Sequence, residues 1–225
     1  MGDMHNRISD IRMRIERAAQ KTGRSSQDIT LIAVSKMVDN ATVRQAYDLG
    51  IHDFGENRVQ EFTRKIDSLP QARWHLIGRL QTNKVKEVVG RAFLIHSLDR
   101  WSLAQEINKR SQALDIQVPV LLEVNISGEE SKTGLQAAEV DNFLQAAGEL
   151  TNIQVLGFMT IAVQDSDPEA SRPIFRELAA LRESLARRKY SNVDLKYLSM
   201  GMSQDYEVAI EEGANIVRIG SALFL

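Results

Sequence analysis

Thr30-Leu31-Ile32-Ala33-Val34-Ser35 is a short β-branched run bounded by polar residues. That is the pattern of a strand buried on both faces. Upstream of it, Ile8, Ile11, Ile15 and Ala18 recur at three- and four-residue steps, which predicts an amphipathic helix over residues 3–21. Downstream the alternation repeats. Further strands are predicted at 53–55, 74–78, 93–97, 119–125, 155–160, 197–200 and 216–219, which makes eight with the first. Helical patterns lie between them. One covers 99–114, with Leu103 and Ile107 on one face; another covers 168–189, where Ile174, Leu178, Leu181 and Leu185 keep helical spacing. Pro168 near its start, with Asp165 or Asp167 as the cap, marks a helix N-terminus.

Strands that alternate with helices pair in parallel, because each crossover returns the chain to the same end of the sheet. Eight such units in 225 residues predict an α/β protein, a single-domain (β/α)8 TIM-like barrel over residues 1–225 with an extra N-terminal helix. A doubly wound open sheet is the competing architecture, since periodicity does not distinguish closure from openness. The Gly-rich dinucleotide fingerprint is missing after the first strand, where Ser35-Lys36-Met37-Val38 stands instead. No low-complexity segment or proline-rich linker divides the chain.

Composition narrows the function classes. Lys plus Arg total 28 and Asp plus Glu total 30, a formal net charge of −2. A binder of phosphate backbones usually carries a basic excess, so no nucleic-acid partner is expected. The chain has no cysteine, which excludes a disulfide scaffold, a thiolate metal site and a cysteine nucleophile. No apolar run approaches the roughly 20 residues of a membrane helix. The charged N-terminus lacks the apolar core of a signal peptide, so a cytoplasmic protein without a membrane partner is expected.

In a barrel, residues at the C-terminal ends of the strands face the active-site mouth. Lys36 directly follows the first strand. A lysine held near apolar walls loses hydration, its pKa falls, and its amine becomes nucleophilic enough for Schiff-base chemistry. A solvated lysine opening a loop is the competing reading. The last two strands add a second signal. One runs into Leu198-Ser199-Met200-Gly201-Met202-Ser203, followed by a predicted helix over 204–212 that closes at Gly213 and has Ser203 as N-cap. The other ends in Val217-Arg218-Ile219-Gly220-Ser221. Small residues let backbone amides approach a phosphate, and barrels often bind phosphate at these two loops. Each is also consistent with an ordinary glycine turn. Together with a strand-end lysine they point to a phosphorylated carbonyl ligand.

Several segments are then recognisable: Ala33-Val-Ser-Lys36, Phe54-Gly-Glu-Asn57, Trp74-His-Leu-Ile-Gly78 with Leu80-Gln-Thr-Asn-Lys84, Leu198-Ser-Met-Gly-Met-Ser203 and Val217-Arg-Ile-Gly220. In order and spacing they resemble the pyridoxal phosphate homeostasis protein family, whose barrel is similar to the N-terminal domain of alanine racemase. The resemblance implies that Lys36 carries pyridoxal 5′-phosphate (PLP) covalently as an internal aldimine. It further implies that Asn57 and Ile77 line the cofactor, that Ser199, Met202, Ser203, Gly220 and Ser221 surround its phosphate or ring, and that Arg218 faces the pyridine nitrogen. Met37 and Arg58 depart from the threonine and tyrosine common in the family, which bears on rim contacts.

The same resemblance implies a monomeric protein of intracellular PLP homeostasis. It would buffer the cofactor or deliver it to apo PLP-dependent enzymes, with effects on amino-acid and keto-acid balance, and would not itself be an enzyme. The related enzymes carry a second, β-rich domain that supplies a catalytic acid or base, and none is expected in the six residues after Ile219. Arg218 argues the same way. A guanidinium cannot accept a proton, so the pyridine nitrogen would stay neutral and the ring a weak electron sink. Two alternatives remain open: a low-activity PLP-dependent amino-acid racemase, and a cofactor-free aldolase that uses Lys36 directly. No metal site is expected, because His5, His52, His75 and His96 lack ligand spacing. His75 and His96 lie inside strands and read as hydrogen-bonded core or wall groups, with a place below the cofactor also open to His75.

Overall fold

The computed structural model describes residues 2–129, 132–162 and 167–225. Its frame is a barrel of eight parallel strands: β1 (Thr30–Val34), β2 (Asp53–Glu56), β3 (Arg73–Leu76), β4 (Leu94–Leu98), β5 (Val118–Asn125), β7 (Ile153–Met159), β8 (Val193–Ser199) and β9 (Ile216–Ile219). Neighbours in the chain are neighbours in the barrel, β1 pairs with β9, and β4 pairs with β5, so the sheet closes. The open-sheet alternative is thereby excluded. The two-residue β6 (Leu135–Gln136) pairs only with the C-terminal end of β5 and is not a stave.

Helices cover the outside: α1 (Gly2–Lys21), α2 (Asn40–Asp48), α3 (Val59–Ser68), α4 (Trp101–Ala113), α5 (Val140–Ala147), α6 (Arg172–Ala186), α7 (Tyr206–Glu211) and α8 (Ser221–Phe224). The extra helix α1 buries the predicted stripe Ile8, Ile11, Ile15 and Ala18. It is tied to the end of the chain by Arg7 Nε, which donates to the Leu223 carbonyl at 2.9 Å, and by Lys21 Nζ, 2.6 Å from Glu211.

Two expectations need correction. The 168–189 pattern begins as a 3-10 turn over Pro168–Ser171 and becomes α-helical only at Arg172. Asp167 accepts from the Glu169 N–H at 3.0 Å, while the alternative cap Asp165 lies outside the described residues. The strand predicted at 197–200 begins four residues earlier, because exposed Asp194 and Lys196 interrupt the apolar run that would have signalled it.

A side-chain period of two sorts each strand into an outer and an inner face. Outward residues such as Ala33, Phe54, Trp74, Val120 and Leu122 pack into the main core under the helices. Inside, Ile32, Leu94, Leu121, Leu156 and Ile216 make a separate apolar layer. Above it, toward the strand C-termini, inward positions turn polar. His96 follows Leu94, Glu123 follows Leu121, Ser199 follows Tyr197 and Arg218 follows Ile216, each two residues further along its strand.

Candidate functional site

The end of β1 is locked before it reaches Lys36. Ser35 N–H donates to the Gly55 carbonyl at 3.1 Å, and Ser35 Oγ donates to Glu56 Oε1 at 2.7 Å. The Ser35 carbonyl accepts from Val38 N–H and from Lys65 Nζ, the latter at 2.6 Å. Lys65 reaches in from α3 and also pairs with Glu56; both side chains are buried. Lys36 is thus presented from a rigid strand end. Its own side chain is exposed, as in the solvated-lysine reading that the sequence left open.

A cavity of about 350 Å³ opens at the mouth. It brings together Lys36, Asn57, Ile77, Met202, Ser203, Arg218, Gly220 and Ser221, eight of the nine residues inferred for the ligand. Ser199 is the exception. It is fully buried beneath the cavity, where its Oγ accepts from Arg218 Nη1 at 2.7 Å. Gly78 explains how Asn57 and Ile77 meet there. A Cβ on Gly78 would stand 2.2 Å from the Asn57 carbonyl oxygen, so only glycine lets these two strand ends approach so closely.

Arg218 forms part of the cavity lining. Nη2 donates to the Thr160 carbonyl at 2.9 Å, and burial pushes its pKa down to about 10 against the opposing pull of Asp205 and Glu123. The guanidinium therefore remains positive at neutral pH.

The loops beside it are built differently from the sequence expectation. Ser203 is not a helix cap; α7 starts at Tyr206. Instead, Ser203 Oγ accepts from Gly220 N–H at 3.2 Å and from Ala222 N–H at 3.3 Å, joining the loops after β8 and β9. Asp205 braces the same turn, accepting from Met202 N–H at 2.7 Å and from Ser171 Oγ at 2.9 Å. The N–H groups of Ser203, Gln204 and Ser221 have no hydrogen-bond partner among the described residues. Three free amides and two hydroxyls at one rim, beside a buried cation and a lysine amine, form a donor set suited to a phosphorylated, carbonyl-bearing ring.

Residues 7–225 match the family of the alanine racemase N-terminal domain. A protein of Aquifex aeolicus named pyridoxal phosphate homeostasis protein is 49% identical over 220 residues, 97% of this chain and 96% of its own. Its namesake in Escherichia coli K12 is 37% identical over 229 residues, 100% of this chain and 97% of its own. The chain belongs to the pyridoxal phosphate homeostasis protein family. Among solved structures, PipY of Synechococcus elongatus with PLP bound is 33% identical and superposes with a TM-score of 0.82, over 94% of this chain and 100% of its own.

Within this family frame, some cavity residues escaped the sequence reading. Glu123 lines the cavity, and its carboxyl is pushed up by burial although the Thr133 hydroxyl donates to it and Arg218 lies near. A glutamate inside the apolar run Val118–Asn125 was the signal available for it. Asp205 and Ser171 carried no such signal, because their roles depend on two distant segments meeting. Met37 and Arg58, the departures from the family pattern, line a neighbouring cavity of about 570 Å³ that shares only Lys36 and Asn57 with the first. A third cavity, of about 600 Å³, lies at the opposite end of the barrel near Thr30, Asp53 and Arg73. Among the described residues no cluster of three or more His, Asp or Glu could hold a metal ion, and no helix is long and apolar enough to cross a membrane.

Proposed function

We propose that this protein binds PLP, held covalently through Lys36 Nζ, and serves intracellular PLP homeostasis by buffering the cofactor or handing it to apo PLP-dependent enzymes. The observation that carries the proposal is the convergence of Lys36, buried Arg218 and the free amides of Ser203, Gln204 and Ser221 on one cavity. The family's shared name and the PLP-bound PipY support it. When bound, PLP supplies an aldehyde that a lysine amine holds covalently and a ring that withdraws electrons.

The chain's own groups take the remaining roles. Ser203, Ser221 and the loop amides grip the phosphate. Ile77 and Met202 flank the ring, Asn57 lies beside Lys36, and Arg218 faces the ring nitrogen. A cation there cannot take up a proton, so the nitrogen is left neutral. This favours holding the cofactor over transforming amino acids. Our reading is accordingly of a non-enzymatic, monomeric, cytoplasmic protein acting as one unit over residues 1–225.

Borohydride reduction of the PLP-loaded protein, followed by peptide mass spectrometry, tests the reading. A pyridoxyl group is expected on the peptide containing Lys36, and Lys36→Ala is expected to lose the visible absorbance while keeping its fold. A label on another lysine, such as Lys84, would overturn the assignment. Lys84 pairs with Glu87 at 2.9 Å and does not line the cavity.

A further inference from the structure

Behind Arg218, away from the cavity, lies a row of buried polar groups that cofactor binding does not itself require. Arg218 Nη1 donates to Ser199 Oγ. Ser199 Oγ is 3.0 Å from His96 Nδ1, His96 Nε2 is 3.0 Å from His75 Nδ1, and His75 Nε2 is 3.1 Å from Asp53 Oδ1. Asp53 in turn accepts from Arg73 Nε at 2.7 Å and Nη2 at 2.5 Å. Strands β2, β3, β4, β8 and β9 each contribute one inward-facing member, and all five are at most 6% exposed. The row crosses the barrel interior, from a carboxylate at the far cavity to the guanidinium at the mouth.

Its two ends dictate its direction. A guanidinium only donates and a carboxylate only accepts. Arg218 occupies one of the two lone pairs of Ser199 Oγ, and among the described residues the serine hydrogen has no acceptor but His96 Nδ1. Asp53 requires a hydrogen on His75 Nε2, which leaves His75 Nδ1 as acceptor for His96 Nε2–H. With both rings neutral, one arrangement satisfies every link: both protonated on Nε2. The opposite tautomers would set a bare nitrogen against the Asp53 carboxylate and leave the Ser199 hydrogen without an acceptor. Burial also disfavours charge on either ring, most strongly on His96.

We propose that Asp53, His75, His96 and Ser199 form a one-way hydrogen-bond relay that positions the Arg218 guanidinium, with Asp53 setting the tautomer of both histidines from the opposite end of the barrel. These are positioning residues, because none but Arg218 lines the mouth cavity. What Arg218 meets there rests on the PLP reading, whereas the relay is a property of the free protein.

The test uses the full chain, labelled with ¹⁵N-histidine and ¹⁵N-arginine and free of PLP. Long-range ¹H–¹⁵N spectra at pH 7 are expected to show protonated Nε2 and bare Nδ1 on both His75 and His96, with slow rotation of the Arg218 guanidinium. Protonation of Nδ1 on either ring overturns the proposal. In Asp53→Asn the amide can turn a donor toward His75. The Nδ1–H tautomer is then expected to appear, and Arg218 rotation to speed up severalfold. Release of PLP from that variant is expected to be about 3–10 times faster, the equivalent of one neutral hydrogen bond. A merely structural role for Asp53 would lower thermal stability and leave tautomers and rotation as in the wild type, which overturns the relay. Should Asp53→Asn not fold, Ser199→Ala serves: faster Arg218 rotation with unchanged His75 supports the relay, and unchanged rotation overturns it. Wild-type protein with the expected tautomers but no PLP uptake would overturn the cofactor reading and leave the relay standing.

Discussion

Ser203 occupies a place in the structure that its local sequence did not reveal. Sequence made it a helix cap, a local device; in the folded chain its oxygen holds Gly220 and Ala222, on the loop that follows the next strand of the barrel. Ser221, by contrast, offers only its own hydroxyl and amide at the rim. The two serines should therefore differ on mutation. Ser221→Ala removes one hydroxyl donor to a charged acceptor, worth about 1.5–3 kcal/mol, and PLP should dissociate roughly 10–100 times faster. Ser203→Ala should lose at least as much retention and also lower the melting temperature, since two loop amides lose their acceptor. Stopped-flow release of PLP and thermal melts of both variants check this; equal effects on retention and stability would refute the bridging role. Lys36 was legible as a residue at a strand end, though position left a solvated lysine open, and the part inferred for Arg218 came from the family resemblance. Ser199 sits on the same strand pattern, yet which side of Arg218 it occupies was not legible.

At the scale of elements, the strands were legible because β-branched runs bounded by turns have few other solutions. Their polar interior was not. His75, Glu123 and Ser199 each occupy an inward position on a different strand, and only the registers between strands decide which polar groups meet inside the barrel. Gly78 illustrates the same point. Its place after Trp74-His-Leu-Ile is visible in the chain, but the need for glycine arises from the Asn57 backbone, whose carbonyl oxygen and Cα lie 2.2 Å and 2.6 Å from where an alanine Cβ would stand. Because both partners are backbone, neither yields by changing rotamer. Gly78→Ala should thus cost about 1–3 kcal/mol or more, as overpacking does. It should also weaken PLP retention by moving Asn57 and Ile77. Urea unfolding and equilibrium PLP binding measure the two effects, and a variant with wild-type values in both would show that the strand ends can separate freely.

For the whole molecule, the buried histidines make stability depend on pH. Both rings have folded pKa values below the ordinary 6.5, through burial first, with His75 and Arg218 adding to the effect on His96. Below about pH 6.5 the unfolded chain takes up protons that the folded chain refuses, so stability falls as pH falls. A ring that stayed neutral throughout would contribute at most about 1.2 kcal/mol between pH 7 and 5.5 by that linkage. Glu123 opposes them, because its raised pKa lets the folded chain hold a proton that the unfolded chain has lost above about 4.5. A net loss of at most about 2.5 kcal/mol is expected over that interval, measurable by urea denaturation at the two pH values; unchanged or greater stability at pH 5.5 would contradict neutral buried rings. Charge balance, the lack of cysteine, the order of strands and helices and the positions of Lys36 and Arg218 are all carried by the chain itself, because they follow from local chemistry and from periodicities within one element. Barrel closure, the meeting of eight candidate residues at one mouth and the row from Asp53 to Arg218 were decided only on folding. Each depends on register between segments far apart in the chain, and no local pattern encodes the distance between them.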